Sequence, residues 1–179
     1  PPEEGIPKLI DWAQKWDTSG VLTSQIGGGK AVLDDPNWSR FIKSLWDDID
    51  EGVRLKIFEN FIVNSALIGM ARQEKVKQEH GCSVPWAILM DPTSACNLHC
   101  TGCWAAEYGN KLNLTYEEMD SIVNQANEMG TYMFLFTGGE PMVRKKDIIR
   151  LCEAHNDCVF SAFTNGTLID EEFADEMLR

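Results

Sequence analysis

The chain has 179 residues, enough for one domain with an appendage, and its 44% apolar and 25% charged side chains sit near the globular average, which excludes wholesale disorder. With 16 basic and 28 acidic residues the net charge is −12, and the only basic cluster, Arg144-Lys145-Lys146, reads as a solvated helix start. Binding through nucleic-acid phosphates calls for a basic stripe, so no nucleic-acid partner is expected.

The opening residues Pro1-Pro2-Glu3-Glu4 are acidic where a secretory signal is basic. A chain that starts on Pro rather than Met is expected to be a processed product or a piece of something longer. Gly27-Gly28-Gly29-Lys30 invites a phosphate-loop reading, but Ser24 stands where that pattern needs Gly, and Ala31 where it needs Ser or Thr. A turn is expected there instead. Asp35-Pro36 supplies an N-cap and a first-turn proline for a helix running to about Asp50. A longer helix is expected over Gly52 to Glu79, with Leu55, Phe58, Ile62, Ala66 and Met70 in one stripe and Phe61 and Leu67 widening it. That breadth predicts burial against a larger body. The most apolar run, Phe61 to Ala71, is broken by Asn64, Ser65 and Gly69 and falls short of the roughly 18 residues of a membrane span.

From Pro85 the pattern becomes strand, loop, helix, three times over. Trp86 to Met90, Tyr132 to Phe136 and Val159 to Phe163 are short apolar runs of the kind buried parallel strands show. Thr115 and Glu118 predict a capping box, Leu114 and Met119 a hydrophobic staple, and Gly130 a C-terminal stop for the first helix. The second helix is placed at about Lys145 to Ala154, burying Ile148, Ile149, Leu151 and Cys152, and a third starts near Asp170 and continues to Arg179. Alternation of this kind gives an α/β fold with a parallel sheet. Three strands leave an open edge, so the chain is expected to be truncated.

Six cysteines are present, and three of them fall within eight residues as Cys96, Cys100 and Cys103, in a C-x3-C-x2-C pattern just after the first strand. Such crowding favours a metal site in a reducing compartment, with the cytoplasm the expected location. The carboxyl end of a strand is where α/β proteins place their sites. Three thiolates on one short loop can converge on a soft metal centre. In a four-iron cluster they would leave one iron without a protein ligand, the open position of a reactive centre.

These residues resemble the radical S-adenosylmethionine (radical SAM) enzymes. The likeness rests on Cys96-Asn97-Leu98, Cys100 and Cys103, on Gly138-Gly139-Glu140-Pro141 after the second strand, and on Thr164-Asn165-Gly166-Thr167 after the third. The resemblance implies the first three units of a partial (β/α)6 barrel over residues 86–179, preceded by a helical extension over 1–85. It implies a 4Fe-4S cluster on Cys96, Cys100 and Cys103 that is oxygen-sensitive. S-adenosylmethionine would be held by Gly138, Gly139, Glu140 and Pro141, with Trp104, Thr164 and Asn165 as further contacts. Gly102 stands where the family often has an aromatic residue, and Trp104 is expected to supply that surface. The implied activity is an oxidoreductase type of chemistry: reduction of the cluster by a donor such as flavodoxin or ferredoxin, cleavage of the cofactor to a 5′-deoxyadenosyl radical, and hydrogen abstraction from a peptide, cofactor precursor or lipid. No general acid or base is assigned.

Two other classes remain open from the residues. One is a structural zinc module using Cys96, Cys100, Cys103 and either Cys82 or His99. The other is an electron-transfer protein in which Cys82, Cys152 or Cys158 completes a four-cysteine set. Cys152 and Cys158 read more simply as small buried hydrophobes, and His155 as a helix C-terminal residue.

Overall fold

The computed structural model describes residues 2–16, 27 and 34–179. The turn expected at Gly27 to Lys30 therefore lies, beyond Gly27 itself, outside the described residues. Contacts divide the chain into two compact units, Pro1–Arg54 and Leu55–Arg179. The division falls well before residue 86, because most of the long helix belongs to the same unit as the strands.

In the first unit, α1 spans Pro2–Trp16 and α2 spans Pro36–Asp48. The α2 start follows the expected chemistry: the Asp35 carboxylate accepts from the backbone N–H groups of Asn37 at 2.8 Å and Trp38 at 3.2 Å, with Pro36 at the first position. No residue of α2 is buried, and Trp38 packs edge-on to Phe41 on its surface.

The long helix forms, but in three segments of two geometries: α3 (Glu51–Ile57), a π-helical segment (Phe58–Gly69) and α4 (Met70–His80). Its expected apolar stripe is not its buried face. Leu55 is 66% exposed, and Phe58, Phe61 and Leu67 are exposed as well, whereas Asn60, Ser65 and Gly69 are buried. The cause is the wider π turn, in which bonds run from i to i+5 and residues five and four apart share a side. That side meets the loops leading into the second and third strands. Asn60 Nδ2 donates to the carbonyls of Asn156 (2.9 Å) and Cys158 (2.8 Å), and Asn64 Nδ2 to that of Asp157 (3.0 Å). One turn on, Gly69 lies against Gly130, so that a Cβ on Gly69 would stand 2.5 Å from the Gly130 oxygen. Arg72 and Gln73 donate to the Asn127 and Gly130 carbonyls. The helix thus closes the amino-terminal end of the sheet by bonding its loop carbonyls, among them the buried carbonyl of Cys158, which burial would otherwise leave without a partner.

Strands β1 (Ala87–Met90), β2 (Met133–Phe136) and β3 (Val159–Ala162) form a parallel sheet in the order β1-β2-β3. Leu89 pairs with Leu135, and Leu135 with Ser161. Helices α5 (Tyr116–Met129), α6 (Lys145–Ala154) and α7 (Glu171–Met177) follow the three strands. The last of these stops at Met177, two residues short of the expected end. The α5 capping box is present as read, with Thr115 and Glu118 each bonding the other's backbone, and Gly130 closes the helix.

The core has one side. Met90, Phe134 and Phe136 pack on Met119, Val123, Ala126, Ile148 and Leu151, with Ile88, Phe160 and Ala162 joining them. Phe160 stacks on Phe134 and Phe136 at 5.5 and 5.7 Å. Burying a side chain of this size is worth about 1.5–3 kcal/mol. The alternate strand positions face away from the helices, and Leu89 among them is 63% exposed. The architecture is a parallel α/β sheet with its helical layer on one face. Among the described residues no helix is long and apolar enough to cross a membrane.

Candidate active site

Three loops leave the carboxyl ends of the strands, and backbone bonds extend the sheet into them. Thr137 N–H donates to Met90 O, Gly139 N–H to Thr93 O at 3.0 Å, and Glu140 N–H to Ala95 O at 2.8 Å. The Gly138-Gly139-Glu140 segment therefore runs alongside the residues that lead into Cys96. This closeness is what the glycines allow. A Cβ on Gly138 would meet Thr93 O at 2.7 Å where φ is already +101°, and one on Gly139 would collide with the Ala95 carbonyl.

The cysteine loop is pinned at its base. Buried Thr93 bridges to Asn113 and donates its hydroxyl to the Asn113 side chain at 2.6 Å. Ser94 and Leu112 exchange two further bonds, and Leu114 N–H donates to Pro92 O. Arg144 crosses from the second loop to donate to the carbonyls of Pro92 (3.2 Å) and Leu114 (2.7 Å) while bonding Asp147. Lys145 pairs with Asp170. The basic cluster is thus not simply a solvated helix start: Arg144 ties two loops together, which sequence spacing did not signal.

Within this frame Cys96 and Cys103 are half-buried and Cys100 is exposed. Cys103 N–H donates to Cys100 O, and Leu98 N–H donates to Cys96 Sγ at 3.4 Å. Glu140 is 1% exposed, and both of its oxygens are occupied: Oε1 accepts from Met142 N–H (2.9 Å) and the Thr164 hydroxyl (2.7 Å), Oε2 from Asn165 N–H (2.8 Å). Pro141 is buried beside it. The Glu140 carboxylate thus joins the second loop to the third from within the protein.

A cleft of about 450 Å³ opens between the first two loops, lined by Trp104, Tyr108, Asp91, Lys111, Gly138 and Gly139 among others. Trp104, 58% exposed, stands edge-on to Tyr108 at 5.8 Å on a short 3-10 turn (Trp104–Tyr108). The structure therefore brings Trp104, Gly138 and Gly139 to one cleft. Thr164 and Asn165 are attached to Glu140 and do not line it. Tyr108, Lys111 and Asp91 were not singled out from sequence; an aromatic at i+4 from Trp104 was the available signal.

A family model described as the Radical SAM superfamily matches residues 90–179, half of the chain. The chain belongs to the radical SAM superfamily. It is 34% identical over 96 residues to an Fe-coproporphyrin III synthase of Methanosarcina barkeri, covering 50% of this chain and 23% of that protein. It is 37% identical over 97 residues to a GTP 3′,8-cyclase of Geobacter sulfurreducens, covering 49% and 29%. An AdoMet-dependent heme synthase of Nitratidesulfovibrio vulgaris is 31% identical over 105 residues, covering 55% and 28%. The chain thus matches under a third of the length of these relatives. No solved structure matches it.

Membership of the radical SAM superfamily implies an iron–sulfur group, and the donor chemistry suits one. All three loop cysteines are free thiols at least partly open to solvent on the same side of the sheet as the Gly-Gly segment. They share one loop but not one point: among the described residues no three metal-ligating side chains converge. The other cysteines lie elsewhere. Cys158 directly precedes β3, Cys152 sits on α6 and Cys82 precedes β1, so a strand of four residues, about 13 Å, separates them from the loop. Burial pushes the thiols of Cys152 and Cys158 up to about 12, which suits packing and opposes ligation. This geometry removes the support for a four-cysteine set and leaves a zinc reading only His99 as its fourth donor.

Proposed function

We propose that this chain is the cluster-bearing first half of a radical SAM enzyme's barrel, with Cys96, Cys100 and Cys103 holding a 4Fe-4S cluster. The observation that carries it is the juxtaposition at the carboxyl ends of β1 and β2: a pinned three-thiol loop whose Thr93 and Ala95 carbonyls accept directly from the Gly139 and Glu140 backbone N–H groups. Held by Cys96, Cys100 and Cys103, such a cluster would supply one-electron reduction of S-adenosylmethionine, the source of hydrogen-abstracting radical chemistry in this family. A barrel is supported by sequential parallel strands with helices packed on one face and Leu89 left exposed on the other.

The protein's own residues then divide the work. Gly138 and Gly139 present backbone at the cleft without side-chain obstruction, and Trp104 offers an aromatic face for the cofactor. Glu140 acts at one remove: it locks Thr164 and Asn165 of the third loop against the second loop, which carries Gly138 and Gly139. The reductant is of the flavodoxin or ferredoxin type, and the substrate is a peptide, cofactor precursor or lipid.

Electron paramagnetic resonance on anaerobically reconstituted, dithionite-reduced protein tests this reading. A reduced-cluster signal whose line shape changes on adding S-adenosylmethionine is expected. Zinc in place of iron, or a cluster signal indifferent to the cofactor, overturns it.

A further inference from the structure

The residue between Cys96 and the rest of its loop is tied to a strand end far away in sequence. Asn165 Nδ2 donates to Asn97 Oδ1 at 3.0 Å, Asn97 Nδ2 donates to Thr167 Oγ1 at 2.7 Å, and Thr167 Oγ1 donates to Asn165 Oδ1 at 2.6 Å. Each group both gives and receives, so the three side chains close a head-to-tail ring in which every bond polarises the next. The Thr167 N–H also donates to Asn165 Oδ1, at 2.9 Å. On the far side the ring is anchored, because Asn165 N–H and the Thr164 hydroxyl both reach the buried Glu140 carboxylate. An exposed asparagine on a surface loop ordinarily gains little from one bond to solvent-facing groups. Here its amide is gripped at both ends by a segment that is itself held to the core.

We propose that Asn97 and Thr167 are positioning residues: their ring with Asn165 holds the Cys96 to Cys100 segment in place before any metal arrives, leaving Cys96 Sγ facing the Leu98 N–H. This inference deepens the cluster reading above, and rests on it for what the held loop is used for. The loop's base is pinned at residues 92–95 and 112–114, and Cys103 N–H closes its far end on Cys100 O; the ring at Asn97 ties the stretch between Cys96 and Cys100 to the third loop. Loss of the ring frees the segment between Cys96 and Cys100 while the pinned base stays intact. A merely structural contact at the exposed third loop would leave the cysteine loop unaffected.

The test compares wild type, Thr167→Val and Thr167→Ser as full metal-free chains under reducing, anaerobic conditions. Valine keeps the shape and the backbone N–H bond to Asn165, but its side chain can neither accept from Asn97 nor donate to Asn165; serine restores both side-chain bonds. Hydrogen exchange of the amides over 96–103 is expected to quicken about five-fold in Thr167→Val, the factor one ordinary hydrogen bond gives, and to return to within about two-fold of wild type in Thr167→Ser. Iron uptake from ferrous iron and sulfide is expected to slow in Thr167→Val and recover in Thr167→Ser. Unchanged exchange over 96–103 in Thr167→Val overturns the proposal, as does faster exchange with undiminished uptake. The two readings fail separately. If wild type takes up no cluster although exchange responds as expected, the loop restraint stands and the cluster reading falls; if wild type loads normally and the variants match it in every respect, the reverse holds.

Discussion

Glu140 shows how a single side chain can be chemically conspicuous in sequence and structurally employed in the fold. A carboxylate beside two glycines invites a ligand role, yet its oxygens are taken by Met142, Thr164 and Asn165 in a site closed to solvent. Glu140→Ala leaves two backbone N–H groups and a hydroxyl without their acceptor, and is expected to lower stability by about 2–4 kcal/mol in urea unfolding. A change under about 0.5 kcal/mol would show that water serves those donors equally well. The cysteines give a second contrast that labelling can read. At pH 8 a thiol displaced to about 12 is ionised only to roughly one part in 10⁴, so Cys152 and Cys158 should resist iodoacetamide until the chain is unfolded. Cys82 and Cys100, both exposed, should be alkylated in the native metal-free protein, which mass spectrometry of the peptides would resolve. The assignment of Cys152 and Cys158 as packing residues was legible from their apolar neighbours. The tie from Glu140 to the third loop was not, since Thr164 and Asn165 lie 24 and 25 residues away and local spacing carries no trace of them.

At the level of elements, sequence patterning located all three strands and their helices because each follows the ordinary periods of 2 or 3.6. It missed the buried face of the long helix for one reason: the apolar stripe was read at an α-helical period across a stretch that winds as a π-helix. The face that docks is polar and small, built from Asn60, Asn64, Ser65 and Gly69, and its energy comes from capping loop carbonyls. Gly69→Ala should therefore cost about 1–3 kcal/mol through its clash with Gly130, although alanine is the better helix former. Leu55→Ser, on the open side, should stay within about 0.5 kcal/mol. The α5 cap adds a pH signature. Backbone and side-chain bonds from Thr115 hold the Glu118 carboxyl below its ordinary value. Because the folded value is the lower one, its stabilisation is complete above the unfolded value of ~4.3 and is lost as the pH falls through the folded value. Amide protection at the start of α5 should fall in that acid window in wild type and be flat there in Glu118→Gln.

For the molecule as a whole, the organisation follows from where each end of the sheet is committed. The amino-terminal end is sealed by the π-helical segment and α4, and the carboxyl-terminal end carries the cysteine loop, the Gly-Gly segment and the third loop as one hydrogen-bonded set. Both ends, and the core between them, lie within Leu55–Arg179. A division of labour at residue 85, drawn from texture alone, misses this, because the sequence shows that residues 51–80 are helical but not that their polar side is required by the strands. The consequence is testable by truncation. A chain beginning at Asp50 keeps the long helix together with the carboxylate that accepts from Gly52 and Val53 N–H, and retains the donors of Asn60, Asn64, Arg72 and Gln73, so it should unfold cooperatively in urea with an m value of about 1–2 kcal/mol/M and take up iron as the full chain does. A chain beginning at residue 86, where the family likeness starts, loses the donors of Asn60, Asn64, Arg72 and Gln73 and leaves the carbonyls of Asn127, Gly130, Asn156, Asp157 and Cys158 without those partners. It should show no cooperative transition. If the shorter chain unfolded as sharply as the longer, the helix would be an ornament on an independent sheet, and the reading of its polar face as a structural closure would have to be abandoned.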